Sequence, residues 1–287
     1  MRQGLCVRRD WNLGLCVRRD WNFVGNAAEH IKVRSSRQKF QHGEVAAVIV
    51  PVMGRFNRVV AVDVPHHVTQ RGNGRRIILD CDADRAVYLK LLHENMELCG
   101  VALIGYCLMS NHVHLIATPT KAEGLAEALK QIHGRYACYW NVAHQSSGHV
   151  WQGRYYSCPL DQTHLWEALR YTELNPLRAR LISEPELWPW SSAAIHCGTN
   201  QRDTFLALDA WRRHWTVTTW REYLGEGEIE SKLAVIRQRT HTGRPLGTAE
   251  FIHDLEKALQ RQLALQKRGP REKIVTDQRQ RQLTFDP

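Results

Sequence analysis

The run VALIGYCLMSNHVHLIATP, residues 101 to 119, constrains the fold more than any other stretch. Two apolar segments flank Ser110 and Asn111, a pair that favours a turn, so the pattern predicts a β-hairpin. Successive side chains of a strand alternate faces, so His112 and His114 share one face while Val113 and Leu115 point to the core. With 15 histidines in 287 residues, about one such pair arises by chance, so the pair needs a context before it means a metal site.

The flanking segments extend the plan. DVPHHVTQRG alternates as a strand, with Val64, His66 and Val68 on one face and His67, Thr69 and Arg71 on the other. DADRAVYLKLLHENMELCG predicts a helix with Asp82 or Asp84 as N-cap, apolar Val87, Leu91 and Leu98, and Gly100 as its stop. After the hairpin, Leu125, Ala128, Leu129, Ile132, Tyr136 and Trp140 mark a long amphipathic helix with Lys130 and Arg135 on its wetter side. GRYYSCPL reads as a strand and DQTHLWEALRYTELNPLRARLI as a closing helix. The order β, α, β, β, α, β, α implies an α+β fold: a ferredoxin-like, split-βαβ antiparallel sheet with helices on one face.

Three segments are expected along the chain. Residues 53–197 form the compact unit, bounded by Trp188, Pro189 and Trp190, and residues 198–287 form a mainly helical extension with a basic tail. TAEFIHDLEKALQRQLAL is the extension's strongest helix. Residues 1–52 contain GLCVRRDWN twice in tandem, too short a repeat for a solenoid. They read as a weakly structured extension translated from duplicated DNA, with Met53 as the native start; a DNA-binding arm using Arg8, Arg9, Arg18 and Arg19 is the alternative.

The balance of 39 Lys+Arg against 29 Asp+Glu, a formal +10, favours a polyanionic partner. No apolar run approaches the ~20 residues of a membrane span, and the N-terminal stretch is broken by Arg and Asp, so a cytoplasmic protein without a membrane partner is expected. Eight cysteines without any C-x-x-C indicate neither a zinc knuckle nor a disulfide framework.

On the last helix of the unit, Leu165, Ala168, Leu169 and Thr172 are expected to meet the sheet, leaving Glu167, Tyr171, Asn175 and Arg178 as a polar stripe. A phenol there is available as a nucleophile, although a plain surface tyrosine looks the same. Two imidazoles and the Asn175 amide oxygen would make an open three-ligand metal site. Asn175 precedes Pro176, which disfavours helical geometry at that point. Trp151, Arg154 and Tyr155 in WQGRYY suit base stacking and phosphate pairing; an ordinary packed strand entry is the other reading. Arg71, Arg75 and Arg76 after the first strand would reach phosphates or form a solvated turn.

HHVTQRGN, YCLMSNHVHLI, WQGRYYS and YTELNPLRA together resemble the REP-associated tyrosine transposases, a branch of the HUH single-tyrosine transposases; the likeness covers about residues 53 to 197 and, more loosely, TGRPLG at 242 to 247. The resemblance implies a metal-dependent enzyme that cuts and rejoins single-stranded DNA at palindromic hairpins through a 5′-phosphotyrosine. It implies Tyr171 as nucleophile, with His112, His114 and Asn175 as ligands of Mg²⁺ or Mn²⁺. Imidazoles alone would suit zinc or manganese better than magnesium, so the choice of metal belongs to the resemblance. Arg71, Arg75, Arg76, Lys130, Arg135, Trp151, Arg154 and Tyr155 are the expected DNA contacts. A single-tyrosine enzyme completes an exchange with two active sites, as in a homodimer, or with two sequential reactions. A domesticated relative that binds hairpin DNA or RNA without chemistry is the alternative function.

Overall fold

The computed structural model describes residues 58–200 and 205–264, all within one compact unit, Phe56–Pro287. The tandem repeat, the Met53 start and the basic tail lie outside the described residues. Four strands, β1 His66–Arg71, β2 Val101–Leu108, β3 His112–Pro119 and β4 Tyr156–Pro159, form a sheet in the order β2-β3-β1-β4 with every neighbouring pair antiparallel. Helices α1 Asp82–Leu98 and α2 Gly124–Ala143 complete the β-α-β-β-α-β pattern, which is the expected α+β fold.

Strand alternation divides the molecule. Val68, Val113, Leu115 and Ala117 join the apolar core under α1 and α2, where Leu125, Ala128, Leu129, Ile132, Tyr136 and Trp140 supply the predicted face of α2. The opposite face is covered as well. Ile104, Ile116 and Cys158 pack there against Leu165, Ala168 and Leu169 of α3 Gln162–Glu173. The sheet therefore has helices on both sides, because both sets of alternating residues in β2 and β3 are largely apolar. Close approach of α3 depends on Gly105, beside a bulge in β2: a Cβ there would sit 2.3 Å from Leu169 Cδ1 and 2.9 Å from Ser192 Oγ.

Helix ends follow local chemistry. The N-cap of α1 is Cys81 rather than either aspartate; Asp84, in the third helical position, turns its carboxylate back to accept from the Asp80 and Cys81 amides. Gly100, at φ +65°, carries the chain out of α1. The helix expected through residue 182 ends early: α3 stops at Glu173, and α4 Asn175–Arg178 restarts beyond Leu174, since Pro176 has no N–H to continue the ladder.

The chain after α4 wraps the unit. Residues 190 to 192 run beside the outer edge of β2, where Leu108 N–H donates to Trp190 O at 2.9 Å and Ser192 N–H to Tyr106 O at 3.0 Å. Helices α5 Ala193–His196, α6 Asp209–His214, α7 Val217–Gly225 and α8 Glu230–Thr242 then enlarge the second core, with Trp211, Trp220, Leu233 and Ile236 buried in it. TGRPLG closes on β4 through Leu246 N–H to Pro159 O at 2.9 Å. The expected strong helix is α9 Ala249–Leu259, capped by the Thr248 hydroxyl. Among the described residues no helix is long and apolar enough to cross a membrane, and Cys99, Cys107, Cys138, Cys158 and Cys197 form no disulfide.

Candidate active site

On the α3 side of the sheet, β3 and α3 meet in a cleft of about 680 Å³. The start of β3 contributes His112 and His114, the end of β1 Arg71, α3 Tyr171, and α4 Asn175 and Arg178. Residues 59 positions apart in sequence are thus brought together by the packing of α3 on the sheet. The Tyr171 ring stands edge-on to His114, with centroids 5.6 Å apart, and to His67 at 5.7 Å. Only 7% exposed, Tyr171 belongs to the helix-sheet seam rather than to an outer polar stripe. Glu167 leaves that stripe to pair with Lys232 at 2.7 Å.

The far end of α3 is pinned from below. Glu173, fully buried, accepts hydrogen bonds from Ser192 Oγ and His196 Nδ1 at 2.5 Å and from Trp220 Nε1 at 3.0 Å. A buried carboxylate is tolerable only when paired in this way. Its partners tie the tyrosine-bearing helix to α7 and to the short segment around α5.

Both cleft histidines are held at Nδ1. His112 Nδ1 lies 2.6 Å from Asn111 Oδ1, and His114 Nδ1 lies 2.9 Å from His67 Nε2. His67 Nδ1 in turn meets Thr240 Oγ1 at 2.8 Å. Among the described residues no hydrogen bond engages Nε2 of either cleft imidazole, the arrangement in which outer partners orient metal-binding histidines. Burial, with help from the Arg71 and Arg178 charges, pulls His112 down to about 4. Burial first and the neighbouring imidazoles next hold His114 well below its ordinary value. Both rings are therefore neutral acceptors near neutral pH.

Among the described residues no three His, Cys, Asp or Glu side chains converge as a metal site. The donor set that fits a divalent ion here is two neutral imidazoles and the Asn175 amide oxygen, an open set with room for phosphate oxygens. The described lining adds three guanidiniums, those of Arg71, Arg178 and Arg237, and no carboxylate. A cleft of that charge favours an anionic ligand. Arg178 lies 4.3 Å over the Tyr171 ring while donating to Tyr171 O at 2.8 Å and to Glu228 at 2.5 Å.

The other expected DNA contacts divide. Arg75, Arg76 and Arg154 are exposed, and Arg76 lies over Trp140 at 5.3 Å. Lys130 and Arg135 ride α2 on the opposite face, away from the cleft, and Arg135 pairs with Glu94 at 3.2 Å. Trp151 is partly buried and Tyr155 is buried. The Trp151 indole packs against the α1-α2 core and donates to His133 O at 2.9 Å. Tyr155 is buried, with Arg58 3.8 Å above its ring. The exposed member of that tyrosine pair is Tyr156, 38% exposed and stacked on His241 at 4.9 Å.

Sequence reasoning did not find His67, Thr240, Arg237 and His241. The first had a signal, since His67 shares a strand face with Arg71 beside a second histidine strand. The other three lie on α8, whose weak amphipathic pattern does not announce a role in the site.

Residues 61–175 match the sequence model of the IS200-like transposases. No curated protein matches the chain. Among solved structures, a REP-associated tyrosine transposase bound to a REP hairpin is 14% identical, with a TM-score of 0.45 over 53% of this chain and 90% of that one. A protein of Deinococcus radiodurans R1 described as a candidate transposase is 17% identical, with a TM-score of 0.30 over 40% of this chain and 93% of that one. The matched span begins before β1 and ends at Asn175, taking in the entire sheet, and over this span the chain is similar to the IS200-like transposases.

Proposed function

We propose that the protein is a metal-dependent transposase that cleaves and rejoins single-stranded DNA at palindromic, REP-like hairpins, with Tyr171 as its nucleophile. The observation that carries this reading is the convergence of Tyr171, two Nδ1-anchored histidines and three guanidiniums in one cleft. Tyr171 Oη attacks a backbone phosphorus; a P–O bond to tyrosine forms as the P–O3′ bond breaks, leaving a 5′-phosphotyrosine and a free 3′-OH. The phenolic proton departs, and the 3′ oxygen gains one from solvent. Rejoining reverses these steps, so the phosphotyrosine conserves the bond energy and no ATP is consumed.

His112, His114 and Asn175 would hold Mg²⁺ or Mn²⁺, which supplies Lewis-acid charge neutralisation of the phosphate oxygens when bound. The His67–His114 and Asn111–His112 contacts keep the imidazoles oriented. Arg71 binds backbone phosphate within the cleft, and exposed Arg75, Arg76 and Arg154 extend the phosphate track beyond it. Lys130 and Arg135 would add distant, salt-sensitive attraction only. The exchange is completed by a homodimer or by successive cuts at one site.

The test is a denaturing gel after incubating the protein with labelled single-stranded hairpin oligonucleotides and Mn²⁺ or Mg²⁺. A covalent adduct is expected with wild type and none with Tyr171→Phe. Hairpin binding without any adduct would replace the enzyme by a binding module. An adduct that survives Tyr171→Phe would move the nucleophile elsewhere, with Tyr156 the first residue to examine.

A further inference from the structure

Helix α8 lies wholly beyond the span shared with the transposase family, yet it forms one wall of the cleft. Its buried residues Leu233, Ile236 and Thr240 recur at helical spacing and seat it against the second core and the sheet. That seating turns Arg237, Gln238 and His241 toward the site. The Arg237 guanidinium lies 5.9 Å from the centre of the Tyr171 ring.

The two arginines beside the tyrosine are held differently. Arg178 is committed to the Tyr171 backbone carbonyl and to Glu228, both ties within partly buried surroundings. Arg237 has Glu230 as its carboxylate partner, at 2.5 Å, and that glutamate is 73% exposed. An exposed ion pair is weakly held and readily exchanged. A guanidinium beside the nucleophile can therefore leave a surface carboxylate for a phosphate, whose paired oxygens fit its fork of donors.

We propose that Arg237 is a catalytic residue of the reaction at Tyr171, contributed by the segment outside the shared domain: it binds the non-bridging oxygens of the scissile phosphate while remaining next to the tyrosine oxygen. In the forward step it faces the charge that develops as the tyrosyl P–O bond forms and the P–O3′ bond breaks; in the reverse step it stabilises the departing phenolate. Glu230 is the counter-ion that the DNA displaces. The inference rests on Tyr171 being the nucleophile, and the two are separable by experiment.

The full chain is incubated with Mn²⁺ and a library of labelled single-stranded oligonucleotides, each carrying a hairpin between random flanks, and the rate of covalent adduct formation is measured. Arg237→Gln is expected to slow it about 100-fold or more, with Arg237→Lys recovering part of the loss. Arg213→Gln, which removes an exposed charge on α6, is expected to stay near wild type. Equal rates for Arg237→Gln and wild type would overturn the proposal. A wild-type protein that forms no adduct refutes the reading of Tyr171 before any Arg237 variant is scored.

Phosphate contact by Arg237 is then read without chemistry, in a Tyr171→Phe background with the same library. Loss of one phosphate contact lowers the slope of log K against log salt by about 0.7 for a single strand. An unchanged slope overturns the assignment in that background too. Should Arg237→Gln fail to fold, Arg237→Met, which also removes the charge but keeps most of the apolar stem, carries both measurements.

Discussion

The two faces of the sheet are built from the same strands and do different work. Under α1 and α2, the β3 residues Val113, Leu115 and Ala117 are completely buried among apolar partners. One residue over on the same strand, Ile116 continues an apolar core, but His114 and His112 above it open into the cleft. The first face supplies stability and the second gives up part of its apolar area to hold polar groups in fixed directions. The cleft imidazoles are held there by paired contacts: His112 with Asn111, His114 with His67, and His67 with Thr240.

The sharpest way to separate the faces is to change neighbours on β3. Leu115→Ala should cost about 2–5 kcal/mol of stability, read as a fall in the urea midpoint, while the surviving folded protein binds Mn²⁺ as wild type does. His114→Ala should do the reverse, losing Mn²⁺ binding with a smaller change in midpoint. If both variants lose metal binding and stability together, the division into two faces fails.

Gly105→Ala tests the packing that brings α3 to the sheet. The new methyl would collide with Leu169 and Ser192, so a loss of about 1–3 kcal/mol is expected, together with slower adduct formation as Tyr171 shifts. A fully stable Gly105→Ala protein would show that α3 has room the close contacts deny.

Thr240→Val removes one hydroxyl and keeps the shape of the side chain. Since Thr240 reaches His114 only through His67, Mn²⁺ affinity is expected to fall about 10- to 100-fold with modest change in folding. Unchanged affinity in a titration followed by calorimetry would mean that His114 needs no such support.

Stability should also depend on pH. Burial lowers His66 to about 4 and His133 to about 3. Both stay neutral in the folded protein while the unfolded chain takes up protons below about 6.5. Stability is therefore full above that value and falls as pH drops toward the folded values, by about 1.4 kcal/mol per pH unit for each such histidine. Urea midpoints measured from pH 7 to 4.5 should decline; a flat profile would mean these rings accept protons in place.

The sheet was readable from sequence because period-two alternation and a Ser-Asn turn are local signals, and the faces of β1 and β3 follow directly from them. The same holds for α2, whose six predicted apolar residues all lie in the core. The break at Leu174 was foreshadowed by Pro176, whereas the N-cap of α1 was misassigned because an aspartate three positions into a helix can reach back to the same amides. Tyr155 and Tyr156 illustrate the limit: alternation says that one of them is exposed, and only the packing of Arg58 and His241 decides which.

By itself the sequence determined the hairpin, the order of elements and the shared face of His112 and His114, because these depend on steric rules that act over a few residues. Tertiary structure decided what surrounds them. The Thr240–His67 bond spans 173 positions, and Arg237 reaches Tyr171 only because Leu233 and Ile236 bury α8 in the second core. Contacts of that range depend on which apolar surfaces pack together, a choice that no local periodicity records.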